Sequence, residues 1–244
     1  MRHYGLIGRS LGHSFSAKFF TAKFSSEGID ADYRLIEMER IDDVRKVVAT
    51  NLLAGFNVTI PYKEAIIPYL DELSDEAREV GAVNCVVTEG DKLVGYNTDV
   101  RGVEASLHWL DIEPSMRAII LGTGGASKAV QHVLRQNNTP FITVSRDKGR
   151  GDICYDELSA ELIGDHKLII NATPVGMSPA TDAAPMLDYS AIGEGHRLFD
   201  LVYNPATTEF LRRGAAQGAT TMGGMMMLQT QAIASWHIWN RERE

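Results

Sequence analysis

The sequence predicts an α/β protein of two domains, and three observations carry that prediction. Short apolar strands alternate with helical stretches along most of the chain, the rhythm of βαβ units. The alternation breaks and restarts around residues 111–114, which places a domain boundary near residues 100–114. In the second half an apolar run, Ala118-Ile119-Ile120-Leu121, enters a glycine-rich turn and then a new helix.

Taken in order, residues 4–8 read as a short apolar strand, and residues 14–27 carry Phe15, Phe19 and Phe20 at helical spacing. Residues 32–36 are extended again, followed by a helix over 41–50 and a strand over 54–59. That strand runs into Pro61, whose nitrogen cannot donate to a ladder, so a loop is expected at the strand end. Ser74 and Asp75 offer N-cap chemistry for a short helix, and residues 82–88 and 92–96 flank Glu89-Gly90-Asp91 like the arms of a hairpin. Asn97-Thr98-Asp99 caps a helix running to about Leu110. Past the boundary, strands over 117–121, 141–144, 167–171 and 198–202 alternate with helices over 126–136, 155–163 and 207–217. With a short extended piece at 219–221, this is a mainly parallel sheet. The last stretch, 225–241, is helical, and Trp236 and Trp239 give it more apolar surface than a free tail tolerates, so it must pack on something. There is no low-complexity tract and no solenoid-type repeat.

At 244 residues, with 44% apolar and 23% charged residues, the chain can bury a sizeable core without disulfide staples. Its net charge of −8 gives no long-range attraction for phosphate backbones or anionic lipid, which argues against a general nucleic-acid or membrane binder. The two cysteines, Cys85 and Cys154, lie beside β-branched residues and read as buried free thiols in a reducing compartment. The opening MRHYGLIGRSLGHSFS lacks a signal-peptide core, and no apolar run approaches the roughly 20 residues that span a bilayer, so the cytoplasm is the expected location.

The segment GTGGAS, residues 122–127, sits between a strand and a helix, the context that gives such a motif physical meaning. Gly122 permits a sharp turn and Gly124 lets the backbone approach a pyrophosphate. The N–H groups at Gly125 and Ala126, with the helix dipole, attract the anion. Ser127 occupies the place of the usual third small residue, so the helix must pack slightly differently on the strand. The next strand ends in Ser145-Arg146-Asp147-Lys148-Gly149-Arg150, where an NAD enzyme usually presents an acidic residue to the ribose hydroxyls. The guanidinium groups of Arg146 and Arg150 suit the 2′-phosphate of NADP and favour it over NAD, while Asp147 argues the other way.

Three polar clusters fall at strand ends or loops of the first domain: Ser14 and Ser16 after Gly12-His13, the run from Asn57 through Thr59 to Lys63, and Asn84 with Asn97-Thr98-Asp99. A lysine after a buried strand and an aspartate at a helix start can act as a proton-donating pair, and Lys63 with Asp99 fits. Singly, each residue also has a structural reading: Ser14 and Asp99 as helix caps, Lys63 as a surface cation, Asn84 as a partner for loop backbone.

GRSLGHSFS, FNVTIPYK, GAVNCV, GYNTD, GTGGASKA, NATPVGM and GxxMLxxQ occur in order, and over nearly its whole length the chain resembles the shikimate dehydrogenase family. The resemblance implies NADPH-dependent reduction of 3-dehydroshikimate to shikimate, on the route to chorismate and the aromatic amino acids. It implies a substrate-binding domain over residues 1–100, completed by a C-terminal helix within 225–244 that packs back on it, and a Rossmann-type NADP-binding domain over 101–224. By that resemblance Ser14 and Ser16 grip the substrate carboxylate, which Tyr203 approaches. Thr59, Lys63, Asn84 and Asp99 hold the ring hydroxyls, with Lys63 and Asp99 as the catalytic pair, and Gln231 closes the pocket. Thr173 of the NATPVGM segment and Gly224 fall on the cofactor side, and His13 is a loop histidine that supports geometry. The small-molecule substrate and NADP are the expected partners, the state a monomer or homodimer. Met225-Met226-Met227 is read as core packing, with no metal expected. Rival readings are an NAD-dependent quinate/shikimate enzyme, a folate-type dehydrogenase, and a non-catalytic dinucleotide- or shikimate-binding protein.

Overall fold

The computed structural model describes residues 1–12, 14–113 and 115–240. His13 lies outside the described residues, as do Pro114 and residues 241–244. The chain divides into two units, one of residues 1–98 with 232–244 and the other of residues 99–231.

The first unit opens with β1 (Arg2–Gly8), α1 (Phe15–Ser26), β2 (Ala31–Glu37), α2 (Val44–Asn51) and β3 (Leu53–Val58). It continues through α3 (Tyr62–Ala65), β4 (Glu72–Leu73), α4 (Asp75–Val80), β5 (Cys85–Glu89) and β6 (Lys92–Tyr96). The second holds α5 (Asp99–Trp109), β7 (Ala118–Leu121), α6 (Gly125–Gln136), β8 (Phe141–Ser145), β9 (Ile153–Cys154) and α7 (Ala160–Asp165). After these come β10 (Leu168–Asn171), β11 (Arg197–Asp200), α8 (Glu209–Ala216) and β12 (Thr220–Met222), and then α9 (Met225–Trp239), which starts in the second unit and finishes in the first.

The first sheet has the order β2-β1-β3-β5-β6-β4. β1 runs parallel to β2 and β3, whereas β5 is antiparallel to β3 and β6. The expected hairpin is present: Glu89 pairs with Lys92, and Gly90 takes the left-handed φ of +61° that a two-residue turn demands. Ser74 caps α4 as its position suggests, its hydroxyl accepting from Ala77 N at 3.1 Å. One core contains Ile7, Phe56, Val58, Ile66 and Val86. A second is aromatic, with Tyr4, Phe20, Phe24 and Tyr33 packed with Trp236 and Trp239 of α9. Trp239 stacks on Tyr4 with ring centres 4.8 Å apart and donates its indole N–H to Val86 O at 3.0 Å. Only glycine at position 55 lets the indole lie on β3, because a Cβ there would stand 2.5 Å from the ring. This packing takes the apolar surface of the C-terminal half of the last helix, whereas buried Met227 in its first turn lies against Gly102 of α5 in the second unit.

The second sheet is all parallel, in the order β12-β11-β10-β7-β8-β9. All four residues of β7, Ala118 to Leu121, are fully buried, as a sheet covered on both faces requires. From β7 the chain steps to β8 and β9 on one side and returns to β10 on the other, so the strand order reverses between β7 and β10. This is a doubly wound, Rossmann-type arrangement, and its crevice lies at the carboxyl ends of those strands. The helix expected over 155–163 is broken: a 3-10 turn at Tyr155–Glu157 precedes α7, because Ser159 starts a new helix by accepting from Leu162 N at 3.2 Å. Cys85 and Cys154 are both free and buried. Among the described residues no helix is long and apolar enough to cross a membrane.

Candidate active site

Ile7 of β1 lies opposite Val58 of the parallel β3, so the loops following both strands leave the same end of the first sheet. β5 starts at that end and β6 finishes there, since Cys85 pairs with both Asn57 and Tyr96. The topology therefore gathers the residues that the sequence singled out in this unit. Ser14 and Ser16 follow β1, Thr59 and Lys63 follow β3, and Asn84 precedes β5. The first two loops abut, because a Cβ on Gly8 would stand 2.6 Å from the Thr59 methyl.

Ser14 occupies the N-cap position of α1, yet its side chain makes no capping hydrogen bond. Ser16 is buried. Thr59 donates its N–H to Ile7 O and accepts from Tyr62 N, both at 2.9 Å, which turns the chain into α3. α3 carries Lys63, half-buried, whose carbonyl accepts from Val83 N at 2.7 Å. Asn84 is buried and clamps Thr98: its Oδ1 accepts from Thr98 N at 2.6 Å and its Nδ2 donates to Thr98 Oγ1 at 2.9 Å. Asp99, also buried, opens α5.

Behind these residues runs a buried polar chain that the sequence reading does not assemble. Tyr33 donates its hydroxyl to Asn57 Oδ1 at 2.9 Å, and Asn57 Nδ2 donates to Asn84 O at 3.1 Å and to Ser235 Oγ at 2.9 Å. Ser235 Oγ in turn lies 3.1 Å from Thr98 Oγ1. Burial drives the Tyr33 phenol well above its ordinary pKa, against the opposing pull of a hydrogen bond with Ser16, so it stays a donor. The available signal is Asn57, a polar residue within an otherwise apolar strand. Nothing local marks Ser235, which reaches this chain from α9.

In the second unit, Gly122 has φ +101° and donates its N–H to Val144 O at 2.8 Å. A Cβ on it would meet the Thr173 methyl at 2.8 Å and Ala172 O at 3.2 Å, so the turn is held tightly against the β10 loop. Ser127 is fully buried and donates its hydroxyl to Gly122 O at 2.7 Å. The serine in place of the usual small residue thus closes the turn rather than spoiling it. Gly124 is the N-cap of α6, no side chain caps the helix, and nothing stands within 4 Å of where a Cβ would be. The first-turn N–H groups at Gly125 and Ala126 are left for a ligand, so this cradle fits a pyrophosphate.

Ser145 is buried at the end of β8 and accepts from Asp147 N at 3.1 Å. Arg146, Asp147, Lys148 and Arg150 are exposed, and Arg150 pairs with Asp147 at 3.6 Å. An exposed pair of that length is weak and can open for an anion. Tyr203 is half-buried after β11, and Gly224 is buried where a Cβ would fall 2.2 Å from Leu201 O. Gln231, buried on α9, donates to Leu228 O at 3.1 Å. Among the described residues, the grouping of metal-ligating types is Cys154, Asp156 and Glu157, and there Glu157 already caps the Cys154 N–H at 2.8 Å.

Residues 6–86 match the family described as the shikimate dehydrogenase substrate binding domain. A shikimate dehydrogenase (NADP(+)) of Clostridium beijerinckii is 38% identical, over 98% of this chain and 92% of the relative. The crystal structure of shikimate dehydrogenase 1 from Peptoclostridium difficile superposes with a TM-score of 0.89 at 36% identity, covering 99% of this chain and 92% of that one. The Thermus thermophilus shikimate 5-dehydrogenase, solved in complex with NADP(H) and shikimate, gives 0.85 at 29% identity over 99% and 94%.

Proposed function

Because the chain belongs to the shikimate dehydrogenase family, we propose that it catalyses the reversible, NADPH-dependent reduction of 3-dehydroshikimate to shikimate, on the route to chorismate and the aromatic amino acids. The observation that carries the reading at the level of residues is the gathering of Ser14, Ser16, Thr59, Lys63 and Asn84 at one end of the first sheet. Residues 1–100, with the C-terminal helix, are the substrate-binding part, and residues 101–224 bind the cofactor. The enzyme works in the cytoplasm as a monomer or homodimer.

Ser14 and Ser16 donate hydroxyl hydrogens to the substrate carboxylate. The absence of a capping bond at Ser14 supports this, because its oxygen is not committed to the helix. Tyr203 approaches the same carboxylate, while Thr59, Asn84 and Asp99 hold ring hydroxyls and Gln231 closes the pocket. When bound, NADPH supplies the hydride. Lys63 provides the proton for the oxygen that becomes an alkoxide at C3, and its charge stabilises that oxygen as it develops. Asp99 is the catalytic partner of Lys63 and holds a substrate hydroxyl beside the reacting carbonyl. Gly122, Gly124, Gly125 and Ala126 cradle the pyrophosphate, Ser145, Arg146 and Arg150 take the adenosine end with its 2′-phosphate, and Thr173 and Gly224 flank the remainder.

The test is an absorbance assay of NADPH and NADH with 3-dehydroshikimate, and of NADP and NAD with shikimate and with quinate. NADPH oxidation confined to dehydroshikimate supports the reading. Preference for NADH or quinate would move the protein to the quinate-type branch, and no turnover with any pair would leave a binding protein.

A further inference from the structure

Asp200, at the carboxyl end of β11, is fully buried, and among the described residues no cation pairs with it. The chemistry proposed above makes no use of it. Its carboxylate collects three donors. Asn171 Nδ2 and Val202 N reach Oδ1 at 3.0 Å each, and the Thr208 hydroxyl donates to Oδ2. Asn171 passes the order onward: its Oδ1 accepts from Thr173 N at 3.1 Å and Thr173 Oγ1 at 2.6 Å, and Thr173 Oγ1 accepts from Val175 N at 3.2 Å. The methyl of that same Thr173 abuts Gly122 in the phosphate turn. On the other side, Val202 O accepts from Gly224 N at 3.0 Å, next to the Leu201 carbonyl on which Gly224 is seated.

We propose that Asp200 is a positioning residue for dinucleotide binding, fixing at once the 171–175 turn against the phosphate-binding glycines and the 200–202 segment against Gly224. The inference rests on the reading of the second unit as the NADP-binding one. The donor count explains why the residue is an aspartate. A carboxylate can accept from all three donors, an asparagine offers one acceptor oxygen, and an apolar residue of the same size would orphan an amide, a backbone N–H and a hydroxyl in the interior. The charge itself is unfavourable there. Burial raises the Asp200 pKa to about 6 even though Thr208, Val202 and Asn171 all pull it down. A buried charge that weakens the fold is explained when it selects one arrangement of the loops around it.

The experiment is a fluorescence titration of NADPH binding, without turnover, on the wild-type protein, Asp200→Asn, Thr208→Val and Thr208→Ser, with thermal midpoints and KM for 3-dehydroshikimate measured alongside. Asp200→Asn is expected to weaken NADPH binding at least tenfold while the dehydroshikimate KM at saturating NADPH stays within about twofold. Thr208→Val is expected to weaken it severalfold and Thr208→Ser, which keeps the hydroxyl, to restore it; this pair decides the matter if Asp200→Asn does not fold. NADPH affinity within twofold of wild type in Asp200→Asn, or in Thr208→Val should Asp200→Asn not fold, overturns the proposal. Failure of the wild-type protein to bind NADPH overturns the cofactor reading itself, and the inference with it.

Discussion

Replacing Trp239 by alanine removes the residue that ties the end of α9 to the first unit. The indole is 8% exposed, its ring centre lies 4.8 Å from Tyr4 and 5.2 Å from Phe20, and its N–H donates to Val86 O. A buried tryptophan truncated to alanine costs about 3–5 kcal/mol through lost burial and the cavity left behind. In a protein of this size each kcal/mol moves the thermal midpoint by about 2–4 °C, so the expected fall is about 6–20 °C. Calorimetry and near-ultraviolet circular dichroism would follow it. Gly55→Ala should cost about 1–3 kcal/mol by overpacking, because its Cβ would lie 2.5 Å from the indole. In the double variant the new methyl points into the vacated space, so the two costs should sum to less than their separate values. A fall below about 3 °C for Trp239→Ala, or strict additivity with Gly55→Ala, would refute the claim that this contact anchors the helix.

Lys63→Ala should lower kcat by about 100-fold or more with a far smaller change in the dehydroshikimate KM, and an unchanged kcat would remove Lys63 from the chemistry. Arg146→Ala should raise the KM for NADPH about tenfold and leave that for NADH nearly unchanged, whereas equal effects on both would count against 2′-phosphate recognition. Gly224→Ala should weaken NADPH binding and lower the thermal midpoint, since the added methyl meets the Leu201 carbonyl rather than a side chain that could rotate away; a variant as stable and as tightly binding as wild type would show that the backbone gives. The Asp200 pKa of about 6, raised from 3.8 mainly by burial, means that the folded state holds its proton more tightly than the unfolded chain. That contribution favours folding below about pH 4 and is lost as pH climbs through about 6. The midpoint of Asp200→Asn relative to wild type should therefore rise between about pH 4 and 6 and level off above; a pH-independent difference would contradict the shift.

Much of this arrangement is legible in the sequence because it rests on local patterns. β7 is an unbroken apolar run, the turn after it is glycine-rich, and Ser74 and Gly90 announce a cap and a hairpin by chemistry confined to a few residues. The two-residue strands Glu72–Leu73 and Ile153–Cys154 carry no period to detect and exist only because a neighbouring strand offers them a ladder. The break before α7 escapes the sequence reading because Ser159 looks like a polar position within a helix, whereas its hydroxyl starts one. At the candidate site, the loops of interest can be named from residue types at strand ends. Their convergence depends on pairing between β1, β3 and β5, and the chain through Tyr33, Asn57, Ser235 and Thr98 joins residues up to 178 positions apart. No window on the sequence contains both ends of such a bond.

The shared helix α9 also bears on the order of synthesis. The aromatic core of the first unit includes Trp236 and Trp239, so residues 1–98 leave the ribosome without part of their own interior. All of residues 99–231 must be translated before that part arrives, a delay of about 7–27 s at roughly 5–20 residues per second. During that interval the nascent first unit exposes Tyr4, Phe20 and the bare backbone of Gly55, a sticky apolar face, whereas the later-born second unit is one contiguous stretch that waits for no residue beyond its own. The first part to be made is thus the last to be finished, and a nascent-chain protease or chaperone would meet it half-built.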